Sequence, residues 1–99
     1  MGSMADPVRP ITTYRLTHHA RLEMARRQIS EEDVARVLAT PEQTESIRIG
    51  RILYQLRMEW GEPVKTYVLR VVVDIDREPF EVVTAYRSSK IEKYWRGIT

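Results

Sequence analysis

Tyr86, Arg87, Ser88, Ser89 and Lys90 follow one another and offer a phenol, a guanidinium, two hydroxyls and an ammonium. Arginine meets a phosphate as a bidentate fork and lysine as a point charge, so the run suits a grip on phosphate. The other residue able to do proton chemistry is His19, whose ordinary pKa of about 6.5 lets it take or give a proton near neutrality. Its bland alternative is a histidine that caps or packs at a helix start, and His18 reads as exposed. The bland alternative for the basic run is a strand, a turn and a solvated terminal helix.

The elements that position these groups can be read from spacing. Phe80, Val82 and Thr84 alternate with Glu81, Val83 and Ala85, a strand apolar or small on both faces and therefore enclosed. Ser89-Lys90-Ile91-Glu92 has the form of a capping box, so a short helix starts there. The polar run then lies where a strand ends and a helix begins. At the other end, Thr17 can cap a helix over His18 to Arg27, with Ala20 and Met24 as its apolar stripe. Glu23 is expected to pair with Arg27 on its surface, worth about 0.3–0.5 kcal/mol, or to orient His19 one turn away.

Ser30-Glu31-Glu32-Asp33 is a second capping box, Val34, Val37 and Leu38 give the buried face of its helix, and Pro41 stops it. The two helices form a hairpin. Its second member begins acidic, which does not suit a helix that reads DNA. From Thr44 the period changes to two. Ile47 and Ile49, then Ile52 to Trp60, then Lys65 to Asp74 read as strands, separated by Gly50-Arg51 and Gly61-Glu62-Pro63. Short connections favour an antiparallel meander. Arg70 interrupts the apolar run Val68–Val73 and must find a carboxylate, Glu59 or Glu81, or open onto a cleft. Tyr94 and Trp95 fall beside Ile91 on the last helix, as core or partner surface.

Composition bounds the class. Ninety-nine residues, 42% hydrophobic and 30% charged, suit one soluble globular domain. Residues 1–15 read as a cloning remnant and an N-terminal arm, with a short strand open to Ile11–Arg15, and residues 16–99 as a single α+β domain. The fold expected from the pattern has two N-terminal helices, a four-stranded antiparallel meander sheet and a short C-terminal helix. The chain has no cysteine, which excludes disulfides, thiolate metal sites and cysteine nucleophiles and fits a reducing cytoplasm. No apolar run approaches the roughly 20 residues that span a bilayer. Net charge is only +2, but residues 1–30 hold five Arg against two acids and residues 87–99 hold four bases against one. Two basic ends that met in space would make a local positive patch for an anionic partner.

His19-Ala20, Met24, Arg27, Ile29, Pro41, Gly50-Arg51, Leu69-Arg70-Val71-Val72-Val73 and Thr84-Ala85-Tyr86 with Lys90, in that order and spacing, resemble a family of small bacterial proteins known as a domain of unknown function. That family is commonly grouped with RelE-, ParE- and BrnT-type toxins, and the resemblance covers about residues 17–96. Two positions depart from it: Glu23 stands where many members carry Arg, and Gln28 where many carry Gly.

The resemblance implies a RelE/BrnT-like toxin fold and the toxin of a toxin–antitoxin pair. It would act in the cytoplasm as an endoribonuclease that needs no metal and no cofactor. Such cleavage needs a base for the 2′-hydroxyl, charge on the phosphate and an acid for the 5′-oxygen. His19 is the expected base, Arg87 and Lys90 the expected phosphate ligands, and Tyr86 a stacking ring or proton donor. Arg21, Arg26, Arg27, Arg51 and Arg70 are expected to bind RNA. Arg57 is a weaker candidate. Expected partners are RNA, on or off the ribosome, a cognate antitoxin and no membrane, with a homodimer also open to it. The alternatives are a toxin-fold protein that inhibits a protein target such as gyrase, as ParE-like relatives do, and a non-catalytic interaction module.

Overall fold

The caps expected at the two helices are made. The Thr17 hydroxyl accepts the Ala20 amide at 3.0 Å and starts α1, His18–Arg27; Ser30 accepts the Asp33 amide at 3.0 Å and starts α2, Glu31–Ala39. Three acids in the first turn of α2 complement its dipole. Gln28 joins the helices in the left-handed conformation, φ 58°. Glycine would be unstrained there, whereas glutamine carries its Cβ into a region that L side chains rarely adopt.

The computed structural model describes residues 10–97. The expected cloning remnant lies outside them. The expected meander is present as β2 (Gln43–Arg48), β3 (Arg51–Trp60), β4 (Lys65–Asp74) and β5 (Phe80–Ser88), followed by α3 (Ile91–Tyr94). The sheet nonetheless has five strands, because β1 (Tyr14–Leu16) pairs parallel to β5, giving the order β1-β5-β4-β3-β2. The described part of the N-terminal segment is thus built into the fold: Ile11 is buried and its amide donates to the Leu38 carbonyl at 2.7 Å. The α1–α2 hairpin lies between the two parallel strands in sequence, as a parallel pair requires.

Both helices cover one face of the sheet. Ala20, Met24, Ile29, Val34, Val37 and Leu38 pack against Tyr54, Leu56, Met58, Leu69, Val71, Val73, Val82 and Ala85. Truncating one such leucine, Leu38, to alanine costs about 2–5 kcal/mol. At the β2–β3 turn Gly50 has φ 87°, and an added Cβ would come within 2.8 Å of the Asp76 carboxylate. Among the described residues no helix is long and apolar enough to cross a membrane.

The strict alternation expected in β5 is broken by a bulge. Val73 pairs with Val82 but Val72 pairs with Thr84, so Val82 and Ala85 both reach the helix-side core. An extra residue reverses the phase of everything after it. Arg87 consequently falls on the helix side, beside Ala85 in alternation, and Tyr86 falls on the opposite face, across from Arg70.

Candidate anion site on the open sheet face

The residues of the basic run do not converge. Arg87 lies across the end of α1, its Nη1 and Nη2 donating to the carbonyls of Arg27 and Gln28 at 2.9 and 3.0 Å, its guanidinium 3.7 Å from the Trp60 ring. Burial pushes its pKa down from the usual arginine value. Arg27 makes the return connection, donating to the Ala85 carbonyl at 2.8 Å. Together they tie the helix end to β5. Lys90 is exposed between β5 and α3, and the expected capping box there is not made: its amide donates to Ser88 at 3.0 Å.

His19 is exposed on α1. Eight residues of helix separate it from Arg27, about 12 Å at 1.5 Å per residue. Glu23 is buried rather than on the surface, and its carboxylate is taken by Arg26 at 2.8 Å and Arg27 at 2.6 Å. It does not orient His19. Arg21 pairs with Glu31 at 2.8 Å on the surface.

The face of the sheet away from α1 and α2 holds a different constellation. Gln55, Arg70 and Tyr86 stand in one rung across β3, β4 and β5. Arg70 is 8% exposed. It donates from Nη1 to Gln55 Oε1 at 2.9 Å, and its guanidinium lies 4.0 Å from the Tyr94 ring and 5.6 Å from that of Tyr86. Its Nε has no hydrogen-bond partner among the described residues. Neither carboxylate expected for it arrives: Glu59 is exposed, and Glu81 is held by Arg15 and by Arg77. Arg15, Arg51, Arg57 and Arg77 each have a carboxylate. Arg70 has an amide and two rings.

Farther along the same face, to either side, the charges are compensated. Arg51 forks onto Asp74, Nε to Oδ1 at 2.6 Å and Nη2 to Oδ2 at 3.0 Å. Those hydrogen bonds hold the Asp74 carboxyl below the usual carboxylate range, against the opposing effect of burial. On the other side Arg57 pairs with Glu42 at 3.2 Å and sits 4.1 Å from the Trp95 ring. The Arg57 hydrogen bond likewise lowers the Glu42 pKa.

A desolvated guanidinium with one neutral acceptor keeps strong donors for an anion. The flanking Tyr86 ring, on β5 itself, is a surface on which a planar base can stack. Among the described residues no three His, Asp or Glu side chains gather so as to hold a metal, and no cavity opens over Arg70. Of the residues singled out in sequence, the face unites Arg70, Tyr86, Arg51, Arg57, Tyr94 and Trp95; it leaves out His19, Arg21, Arg26, Arg27, Arg87 and Lys90. Gln55 and Gln43 were not legible as site residues. The signal available for Gln55 was its place on the polar side of β3, which faces wherever Arg70 faces.

Residues 16–87 match the model of the family described as Domain of unknown function (DUF4258), and the chain belongs to that family. No match to the chain was found among curated proteins or among solved structures. The matched span includes Gln55, Arg70 and Tyr86 and ends before Tyr94.

Proposed function

We propose that this chain is the toxin of a toxin–antitoxin pair and a metal-independent endoribonuclease, with RNA lying on the sheet face away from α1 and α2. The observation that carries the reading is Arg70, a buried cation without a carboxylate beside two tyrosine rings that meet edge to face. A phosphate is the anion whose geometry matches its fork, and the Tyr86 ring suits an adjoining base. In this reading Arg70 stabilises the charge that develops on the phosphate during attack by the 2′-hydroxyl. The proton of the 2′-hydroxyl passes to solvent water, and the Tyr86 phenol, in the same rung, donates one to the departing 5′-oxygen. The products are a 2′,3′-cyclic phosphate and a 5′-hydroxyl. A RelE/BrnT-like fold, a cytoplasmic setting and an antitoxin encoded as partner belong to the same reading.

The test is induced expression with total RNA ends mapped, wild type beside Arg70→Met, Tyr86→Phe and His19→Ala. Growth arrest with new 5′-hydroxyl ends, lost in Arg70→Met, reduced in Tyr86→Phe and retained in His19→Ala, is the expected result. Loss in His19→Ala alone would move the chemistry to α1. Arrest without cleavage would favour inhibition of a protein target. One observation favours that second reading: Ile47 on β2, the outer strand of the sheet, is 49% exposed, and Ile49 in the turn that follows is 96% exposed. Exposed apolar side chains on an open strand edge suit a protein that adds a strand.

A further inference from the structure

The open face is not bare. Within residues 90–97 the chain meets it at Tyr94, Trp95 and Arg96, with neither strand pairing nor core packing to hold it. None of them is buried, and none joins the hydrophobic core that fixes α1 and α2. Their attachments are polar. Gln55 Nε2 donates to the Tyr94 carbonyl at 3.0 Å, Gln43 Nε2 donates to the Arg96 carbonyl at 2.7 Å, and the Arg96 amide donates back to Gln43 Oε1 at 3.1 Å. The Arg96 guanidinium donates to the Thr44 carbonyl at 2.6 Å and lies 3.6 Å from Glu45. Tyr94 and Trp95 add their rings beneath Arg70 and Arg57.

These contacts fall on the groups a ligand would use. Tyr94 lies against the guanidinium of Arg70, and Gln55 divides its amide between Arg70 and the strap: Oε1 accepts from the arginine while Nε2 donates to Gln43 and to the Tyr94 carbonyl. One amide thus reports the state of the arginine to the segment that covers it. A covering segment held by exchangeable hydrogen bonds and cation–π contacts can leave without opening the core.

Resting on the RNA reading above, we propose that residues 90–97 are a displaceable strap over Arg70. Single-stranded RNA must lift this strap before a phosphate reaches the guanidinium. While the strap is down the competent state is a minor one, and apparent affinity is reduced by its population.

The experiment is fluorescence anisotropy with a labelled single-stranded RNA of about eight nucleotides, within the range one small binding surface spans. Six proteins are compared: the full chain, the chain ending at Ser89 and the full chain with Gln43→Ala, each with and without Arg70→Met. Gln43→Ala removes two strap contacts and one of the two acceptors of Gln55 Nε2, leaves the Gln55–Arg70 hydrogen bond in place, and takes away neither a charge nor a ring. The shortened chain loses Lys90, Lys93 and Arg96, so charge alone predicts weaker binding. The expected result is the opposite, about tenfold tighter binding by the shortened chain if the strap is down nine-tenths of the time. Gln43→Ala tightens binding in the same direction, and Arg70→Met abolishes it in every background. Should the shortened chain unfold by circular dichroism, Gln43→Ala decides alone. Arg70-dependent binding that is unchanged or weaker in the loosened proteins overturns the strap and leaves the RNA reading standing. No Arg70-dependent binding in any folded variant overturns both.

Discussion

Arg51 and Arg70 stand on the same face of the same sheet, on neighbouring strands, and their surroundings are opposite. Arg51 is met by a buried carboxylate in a two-bond fork, with Arg77 adding a second cation to the same acid at 3.5 Å. Arg70 shares its strand with that acid, four residues or about 13 Å away at 3.3 Å per residue, and has no acid of its own. Arg51 completes the fold, whereas Arg70 holds donors in reserve. The difference can be measured, because removing a partner from a satisfied buried pair and removing an unsatisfied buried cation have opposite signs.

The largest effect is expected at the satisfied pair. Asp74→Ala strands Arg51 and should lower unfolding free energy by about 2–3 kcal/mol in urea titrations, short of the roughly 3–5 of a fully enclosed pair because Arg51 is partly exposed. Acid should find the same pair. The Asp74 carboxyl is held below its ordinary pKa by the Arg51 hydrogen bonds. Its contribution is therefore complete above the unfolded value of about 3.9 and is lost as pH falls through the lower folded value. Stability measured from pH 6 downward should hold to about pH 4 and then fall; Asp74→Asn should flatten that fall and Arg70→Met should leave it intact.

Arg70→Met replaces a poorly compensated cation with an apolar chain of similar length. It should change stability by no more than about 1 kcal/mol, in the stabilising direction, while RNA binding disappears. A loss of several kcal/mol in thermal or urea melts would instead make Arg70 a structural residue and dissolve the contrast with Arg51. The smallest effect is expected for Glu42→Gln, which weakens the exposed pair with Arg57. It should cost under about 0.5 kcal/mol and fade in high salt, marking the lower end of what an ion pair on this face is worth.

Much of the fold could be read in the chain, and the unread parts share a cause. Caps at Thr17 and Ser30 and the period-two runs of β3 and β4 are local, and they appear where spacing places them. β1 overlaps the short strand left open at Ile11–Arg15, but its partner is far off in sequence, Tyr14 opposite Phe80, so no local pattern announces the pairing. The bulge in β5 is one residue of register, invisible in a run where Val82, Val83, Thr84 and Ala85 all suit either face. That residue decides that Arg87 serves the helix end and Tyr86 serves Arg70. Arg70 was conspicuous as a charge in an apolar run. Its partner was not, because choosing Gln55 over Glu59 is a matter of which residue of β3 lies directly opposite. Tyr94 could be seen as an aromatic on a terminal helix, but not that it would come to rest on a guanidinium.

The parallel pairing of β1 with β5 also sets a timetable for synthesis. A ribosome adding about 5–20 residues per second makes Phe80 several seconds after Tyr14, and until then β1 has no neighbour to join. The Arg70 rung waits equally long, since Tyr86 arrives on the same strand. A nascent or truncated chain that stops before Phe80 therefore carries an open strand edge and a rung missing one of its three members. The face is complete only once β5 has been made, and its cover follows after it.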